Sequence, residues 1–361
     1  MHENGALTLL SISREMDNPA FMRFHPFQNI LYVCSESILT DDKVVSFSVS
    51  PTTGLLRKLN EHGTGGKSCC YLTIDKKMKH LLYVNYWDST IGSFPIQPCG
   101  MLNGVNHIYR PEKSVVSSHR TDHLNNRQSE PHAHAVVLDP CLGRIAYIPD
   151  LGEDVVKQFL YNPENGELLP YGTIPADSLA PGPSGPRYIE FHPFLPVAFL
   201  VNELSSSISV FEFEEAEASL ISECNVSARP TLVQIQSIST IPFAYPKKLN
   251  TCGRITVDPT GQFVLVSNRG HNSIAIFRIS TDSRKLSEVG YFHTRGKTPR
   301  HFQFDRTGKF LIVANQDTDS IAVFQFNQSS GSLNYTGNTY DVPSPNFVCV
   351  CAPHMLARPK M

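Results

Sequence analysis

Three arginines and one histidine in this chain carry the chemistry that a small anion needs. Arg187, Arg269 and Arg300 offer planar guanidinium forks, which match pairs of carboxylate or phosphate oxygens. His134 exchanges a proton near neutral pH and suits general acid or base work. Glu203 falls across a predicted hairpin from Arg187, where it either orients the arginine or acts as a base. Arg269 stands in Ser267-Asn268-Arg269-Gly270-His271, and Gly270 lets the chain turn close to a ligand. Asn202, His271, Asp150, Gln316 and Arg300 complete a substrate-binding set around His134, Arg187, Glu203 and Arg269. Each has a plainer reading beside this one. Arg187 and Glu203 can form a structural ion pair, His134 can bond a turn, and Asp150 and Glu36 can be loop acids.

What brings these residues together is a repeat. A short apolar run leads to a His or Asp anchor and a tight turn. A second apolar run, a polar pair and a third run ending in Phe follow. The anchors are His25, Asp75, Asp139, His192, Asp258 and Asp305, and the closing aromatics are Phe47, Phe94, Phe159, Phe211, Phe277 and Phe324. Each anchor lies 19 to 22 residues before its Phe. The anchors themselves read as turn formers and the Phe residues as core. Each unit then runs through a turn into a further strand, at Leu7, Leu56, Leu102, Leu168, Leu220, Leu286 and Leu333.

The runs are short, rich in β-branched and aromatic residues, and separated by turn residues, so they are strands. Units of about 52 residues with four antiparallel strands fit the blades of an all-β, seven-bladed propeller. A lone blade buries only one part of its surface; blades stacked in a ring bury both faces. Six units are complete. The seventh is expected to be shared by both termini, with 344–350 as its first strand and 6–12 as its last. Its two middle strands, about 20 residues, have no counterpart in the sequence. Residues 103–131 and 225–252 break the repeat and read as long loops within one domain spanning 1–361.

The register of the repeat also predicts the site. The residue opening the first strand and the residue just past the second lie at one end of each blade. Superposed on their anchors, the first set is Ala20, Cys70, His134, Arg187, Gly253 and Arg300. The second is Glu36, Tyr86, Asp150, Glu203, Arg269 and Gln316. Charged and titratable groups from different blades therefore converge on one channel mouth.

Composition narrows the alternatives. Charged residues are 18% of the chain and the formal net charge is -2, without a long basic run, which argues against nucleic-acid binding. No apolar stretch reaches the roughly 18 residues of a membrane span. Met1-His2-Glu3-Asn4-Gly5 has no basic-then-apolar leader pattern. The nine cysteines lack Cys-x-x-Cys spacing and read as reduced thiols of a cytoplasmic protein. His107, His119 and His123 are irregularly spaced and read as part of a solvated loop, so no metal or cofactor is expected.

From Asn18-Pro19 to Pro345 the chain resembles the lactonase-type seven-bladed β-propeller family. The resemblance rests on the run from Arg127 to His134 (Arg-Gln-Ser-Glu-Pro-His-Ala-His), on Pro149-Asp150-Leu151-Gly152-Glu153-Asp154, and on Gly185-Pro186-Arg187. It continues in Asn202-Glu203-Leu204, in Ser267 to Ile274 and in Val313-Ala314-Asn315-Gln316. That family includes bacterial-type 6-phosphogluconolactonases and the fungal carboxymuconate lactonizing enzyme. The resemblance implies a metal-independent lactone hydrolase with a small anionic lactone or carboxylate as substrate. It implies His134, Arg187, Glu203 and Arg269 as the catalytic set. Lactonizing cycloisomerisation is the alternative, and a non-catalytic binding propeller is the alternative from another class. Arg254 departs from the family's pattern and is expected to add charge near Arg269.

Overall fold

Hydrophobic alternation and turn chemistry give six four-stranded antiparallel sheets in the computed structural model, which describes residues 1–112, 126–180, 182–223 and 229–351. The sheets span residues 19–63, 69–109, 137–175, 186–239, 251–293 and 299–341, here sheets I to VI. Within each, every strand pairs with its neighbours in sequence, the arrangement of a propeller blade. The chain groups into two compact units. One comprises residues 1–8, 154–156 and 174–350, with sheets IV, V and VI. The other comprises 9–153, 157–173 and Cys351, with sheets I, II and most of III.

The repeated residues do what their types require. The Asp258 carboxylate accepts backbone N–H bonds from Thr260, Gln262 and Phe263, and Asp139 caps its turn in the same way. The His192 ring accepts from the Phe194 and Leu195 N–H groups. All six closing Phe residues are buried. In sheets V and VI, Phe263, Ile276, Phe302, Phe324 and Leu333 belong to one continuous core cluster.

A polar residue recurs at the end of the second strand. Asn85, Asn202, Asn268 and Asn315 are all fully buried. Asn268 Nδ2 donates to the Thr240 carbonyl at 2.6 Å, and Asn315 Nδ2 donates to the Thr294 carbonyl at 2.9 Å. These bonds tie the second strand of one sheet to the segment leaving the fourth strand of the sheet before it. Buried carbonyls there have no water to satisfy them.

Three expectations change. Residues 225–252 are not one long loop, since Leu232–Ser239 is the fourth strand of sheet IV and Lys247–Leu249 a 3-10 turn. Leu220 does not open that strand. It lies in the helix Glu215–Ser222, favoured by a Glu/Ala/Leu-rich run, and Leu232 takes the buried position instead. Residues 103–131 include His107–Tyr109, the fourth strand of sheet II, and His107 Nε2 bonds the Leu168 carbonyl at 3.0 Å. His119 and His123 lie outside the described residues.

Neither 6–12 nor 344–350 is a strand. Both segments nevertheless meet sheet VI. Leu7, Val348 and Val350 pack with Ile312, Ala314 and Ile321. The Val348 and Val350 N–H groups bond side chains, His301 Nδ1 at 3.2 Å and Gln303 Oε1 at 3.0 Å. Without middle strands beside them, these segments have no ladder to join.

Asn315→Ala removes the bond to the Thr294 carbonyl and is expected to cost about 1–3 kcal/mol in chemical denaturation. Gln325→Ala, on an exposed face of the same sheet, should stay within about 0.5 kcal/mol.

Candidate active site

Arg187 is placed by a defect in the β-ladder. Pro186 pairs with Asn202 and Tyr188 with Val201, so Arg187 is the extra residue of a β-bulge. A bulge turns a side chain out of the alternation that would otherwise fix it. The same register shift falls at Ala20 in sheet I, Cys70 in sheet II, Gly253 and Arg254 in sheet V, and Arg300 in sheet VI. In sheet III the Ala133–Asp150 bridge and the Val137–Tyr147 pair enclose the equivalent shift, with His134 between them.

Glu203 follows the second strand of sheet IV, and its N–H bonds the Gly185 carbonyl at 2.6 Å. Its Oε2 lies 2.6 Å from Arg187 NH1, and its Oε1 lies 3.0 Å from Arg269 NH2. Arg187 and Glu203 are buried, and the Arg269 side chain is 12% exposed. Arg269 ends the strand Phe263–Arg269, and its NH2 also donates to the Cys252 carbonyl at 2.6 Å. Gly270 has φ +129, and a Cβ there would collide with the Leu249 carbonyl. The close approach it permits is therefore to backbone, not to a ligand as its sequence context implied.

One buried carboxylate is shared by two guanidinium groups. Burial lowers the Arg269 pKa to about 10; Arg187 and Arg300 push the same way, and Glu203 opposes them. Burial raises the nearby Cys252 thiol to about 12, so it adds no negative charge at neutral pH. The arrangement can hold an anion and stabilise a developing oxyanion.

In the other unit, His134 is buried within a polar-aromatic cluster. Its N–H bonds the Pro149 carbonyl at 2.9 Å, and its ring lies 5.0 Å from that of Tyr86, tilted by 59°. Tyr86 stacks on His132 at 4.5 Å, and its hydroxyl accepts bonds from Arg127 Nε and NH2 at 3.0 and 2.7 Å. His132 Nδ1 faces the Tyr86 carbonyl at 3.0 Å, and burial pulls its pKa down. The sequence ring contained Tyr86, but its coupling to Arg127 and His132 needed the fold.

The remaining expected residues separate into two groups. Asp150 is not the counterpart of Glu203. It occupies the buried position of Asn85 and Asn202, because the turn after Asp139 is one residue longer than the others. Its Oδ1 accepts from the His132, Gly152 and Glu153 N–H groups, and its Oδ2 pairs with Lys157 Nζ at 2.8 Å. Asn202 donates to the Ser207 and Ser209 hydroxyls at 3.0 and 2.9 Å within sheet IV. Asp150 therefore holds backbone N–H groups, and Asn202 ties side chains within sheet IV.

Arg300 and Gln316 stand half-buried at the same end of sheet VI, and His271 follows Arg269 with its Nδ1 at 2.7 Å from Ser273 Oγ. Arg254 does not simply add charge near Arg269. It pairs with Glu190 at 3.3 Å and lies over the Tyr188 ring, whose other guanidinium neighbour is Arg187.

Comparison with known proteins gives a consistent set of relatives. The family described as "Lactonase, 7-bladed beta-propeller" matches residues 1–350. A 6-phosphogluconolactonase of Bacillus subtilis is 30% identical over 349 residues, covering 96% of this chain and 91% of that protein. One from Formosa agariphila is 27% identical over 308 residues, covering 84% and 80%. Among solved structures, the periplasmic gluconolactonase of Pseudomonas aeruginosa matches with TM-score 0.79 at 27% identity, over 93% of this chain and 88% of that one. A putative 6-phosphogluconolactonase of Bacteroides fragilis gives TM-score 0.78 at 28% identity, over 94% and 88%.

Glu203→Gln keeps the shape and removes the shared counter-charge; a loss of about 3 kcal/mol in unfolding free energy is expected. A second prediction concerns pH. Burial lowers the pKa of His25, His80, His132 and His271. Near and below about pH 6.5 these four histidines bind more protons in the unfolded chain than in the folded one, so their contribution lowers stability as pH drops. His132→Gln should make that decline shallower in denaturation midpoints measured from pH 7.5 to 5.

Proposed function

The chain belongs to the lactonase family of β-propellers, and on that premise we propose that it hydrolyses an anionic sugar lactone, with 6-phosphogluconolactone as the substrate. The carrying observation is Glu203 held between Arg187 and Arg269 with Arg300 close by. Guanidinium groups converging on one buried carboxylate offer fork-like donors suited to an anionic substrate.

In this reading the guanidinium groups hold the phosphate and the lactone carbonyl oxygen. Water adds to the carbonyl carbon, and the oxygen gains charge that the arginines stabilise. The ring C–O bond then breaks and the leaving oxygen takes a proton, giving the open-chain carboxylate. His134 acts as base toward the water or as acid toward the leaving oxygen. Glu203 holds Arg187 in place. Asp150 holds backbone N–H groups and Asn202 the Ser207 and Ser209 hydroxyls, while His271, Arg300 and Gln316 line the site. No metal or other cofactor is needed for these steps.

Named relatives of hydrolytic activity favour hydrolysis over cycloisomerisation. A purely scaffolding propeller gives no reason for the buried charge. We also propose that 344–350 and 6–12 stand for the inner and outer strands of the family's seventh blade, supported by their packing on sheet VI.

Among the described residues, no helix is long and apolar enough to cross a membrane. None of the eight described cysteines is in a disulfide, which supports a reducing, cytoplasmic setting.

His134→Ala is expected to lower kcat for 6-phosphogluconolactone by about 100-fold or more. Rates equal to wild type would remove His134 from the chemistry. Arg300→Met should raise KM for that lactone by about tenfold and leave the unphosphorylated gluconolactone nearly unaffected.

A further inference from the structure

Beside Trp87 lies a cavity of about 310 Å³ that the proposed reaction does not use. Trp87, Asp88, Arg110, Glu112, Glu130 and Pro131 line it. The cavity's size falls at the small end of ligand pockets, about 300–1,000 Å³.

Trp87 is 45% exposed, yet its ring is fixed. It stands edge-on to Tyr86 at 5.3 Å and to His132 at 5.3 Å, with interplanar angles of 81° and 89°. Tyr86 in turn touches the His134 ring, so the indole stands at the end of the blade that carries His134. An indole held this way and left half open is a preformed apolar platform.

The polar groups around it are also set in place. Asp88 Oδ2 accepts the Lys67 N–H at 2.8 Å, and its Oδ1 accepts the Thr90 N–H at 3.0 Å. Arg110 NH2 donates to the Gly65 carbonyl at 2.8 Å. Glu112 and Glu130 are exposed on the same wall. Three carboxylates against one guanidinium make the pocket acidic, opposite in sign to the Arg187–Glu203–Arg269 group.

We propose that this cavity is a binding subsite for a neutral sugar ring. The C–H face of a pyranose carries partial positive charge and packs on the negative face of the indole. Its hydroxyl protons need acceptors, which ionised carboxylates supply without competing donors. A phosphorylated sugar meets like charge here and is disfavoured. The sugar is either a free hexose or the glycosyl substituent of a larger aldonolactone. Binding at this subsite stands apart from the lactonase reading and is measured without turnover.

Trp87 is the single tryptophan of the chain, so fluorescence excited selectively at tryptophan, beyond tyrosine absorption, reports on this pocket. Titration with glucose and with maltose is expected to give a saturable change with a dissociation constant of about 1–10 mM. Glucose 6-phosphate should bind about tenfold more weakly. Glu112→Gln and Glu130→Gln alter exposed side chains and should each weaken maltose binding by about three- to tenfold, with unchanged thermal midpoints.

The KM ratio of maltobionolactone to gluconolactone separates the sources. A ratio well below one that Glu130→Gln abolishes assigns the ring to the substrate, and a ratio of one assigns it to a free sugar. The subsite is overturned by the absence of any saturable fluorescence change. It is equally overturned by a glucose 6-phosphate response as strong as maltose's, or by maltose binding indifferent to both glutamate substitutions.

Discussion

The Glu203 carboxylate is the constraint around which its unit is organised. A buried guanidinium without a counter-ion is too costly to keep, and here one carboxylate serves two. Its two oxygens reach Arg187 in sheet IV and Arg269 in sheet V, while the Glu203 carbonyl accepts the Cys252 N–H at 3.1 Å. Two neighbouring sheets are thereby fixed at the end where their reactive side chains project. The anion-binding role proposed for this cluster rests on two guanidinium groups meeting at one carboxylate.

Regular antiparallel sheets would not present Arg187 and Arg300 in this way. Alternation assigns each residue to one face, and a continuous ladder leaves no freedom at a strand's end. The bulge in the first hairpin of each sheet supplies that freedom at the same place every time. One structural irregularity, repeated, gives a row of positions that can vary in chemistry without disturbing the core. Ala20 and Cys70 occupy it in sheets I and II, and Arg187 and Arg300 in sheets IV and VI. Beside the bulges of sheets V and VI, the buried Asn268 and Asn315 donate to the Thr240 and Thr294 carbonyls, which follow the fourth strand of the preceding sheet.

The two polar regions differ in their electrostatics. Around Glu203, cations exceed anions in a largely buried setting. Around Trp87, carboxylates exceed cations beside an open aromatic face. The difference in sign is what the two proposals rest on: a phosphate or carboxylate at the first, an uncharged hydroxyl-rich ring at the second.

The sequence alone determined the repeat, the strand character of its runs and the turn-forming role of His25, Asp139, His192 and Asp258. These follow from local chemistry: alternating apolar residues, and side chains that accept bonds from the next few N–H groups. It also marked Arg187, Glu203 and Arg269, since repeat register places them at equivalent ends. It misjudged Asp150 by one position because only the folded turn after Asp139 shows its extra residue. It missed the strand Leu232–Ser239 because an inserted helix separates that strand from its repeat. The partnering of Tyr86 with Arg127 and His132, and of Arg254 with Glu190, was decided by tertiary structure alone. Such contacts join residues whose separation along the chain carries no period, so only packing in three dimensions selects them.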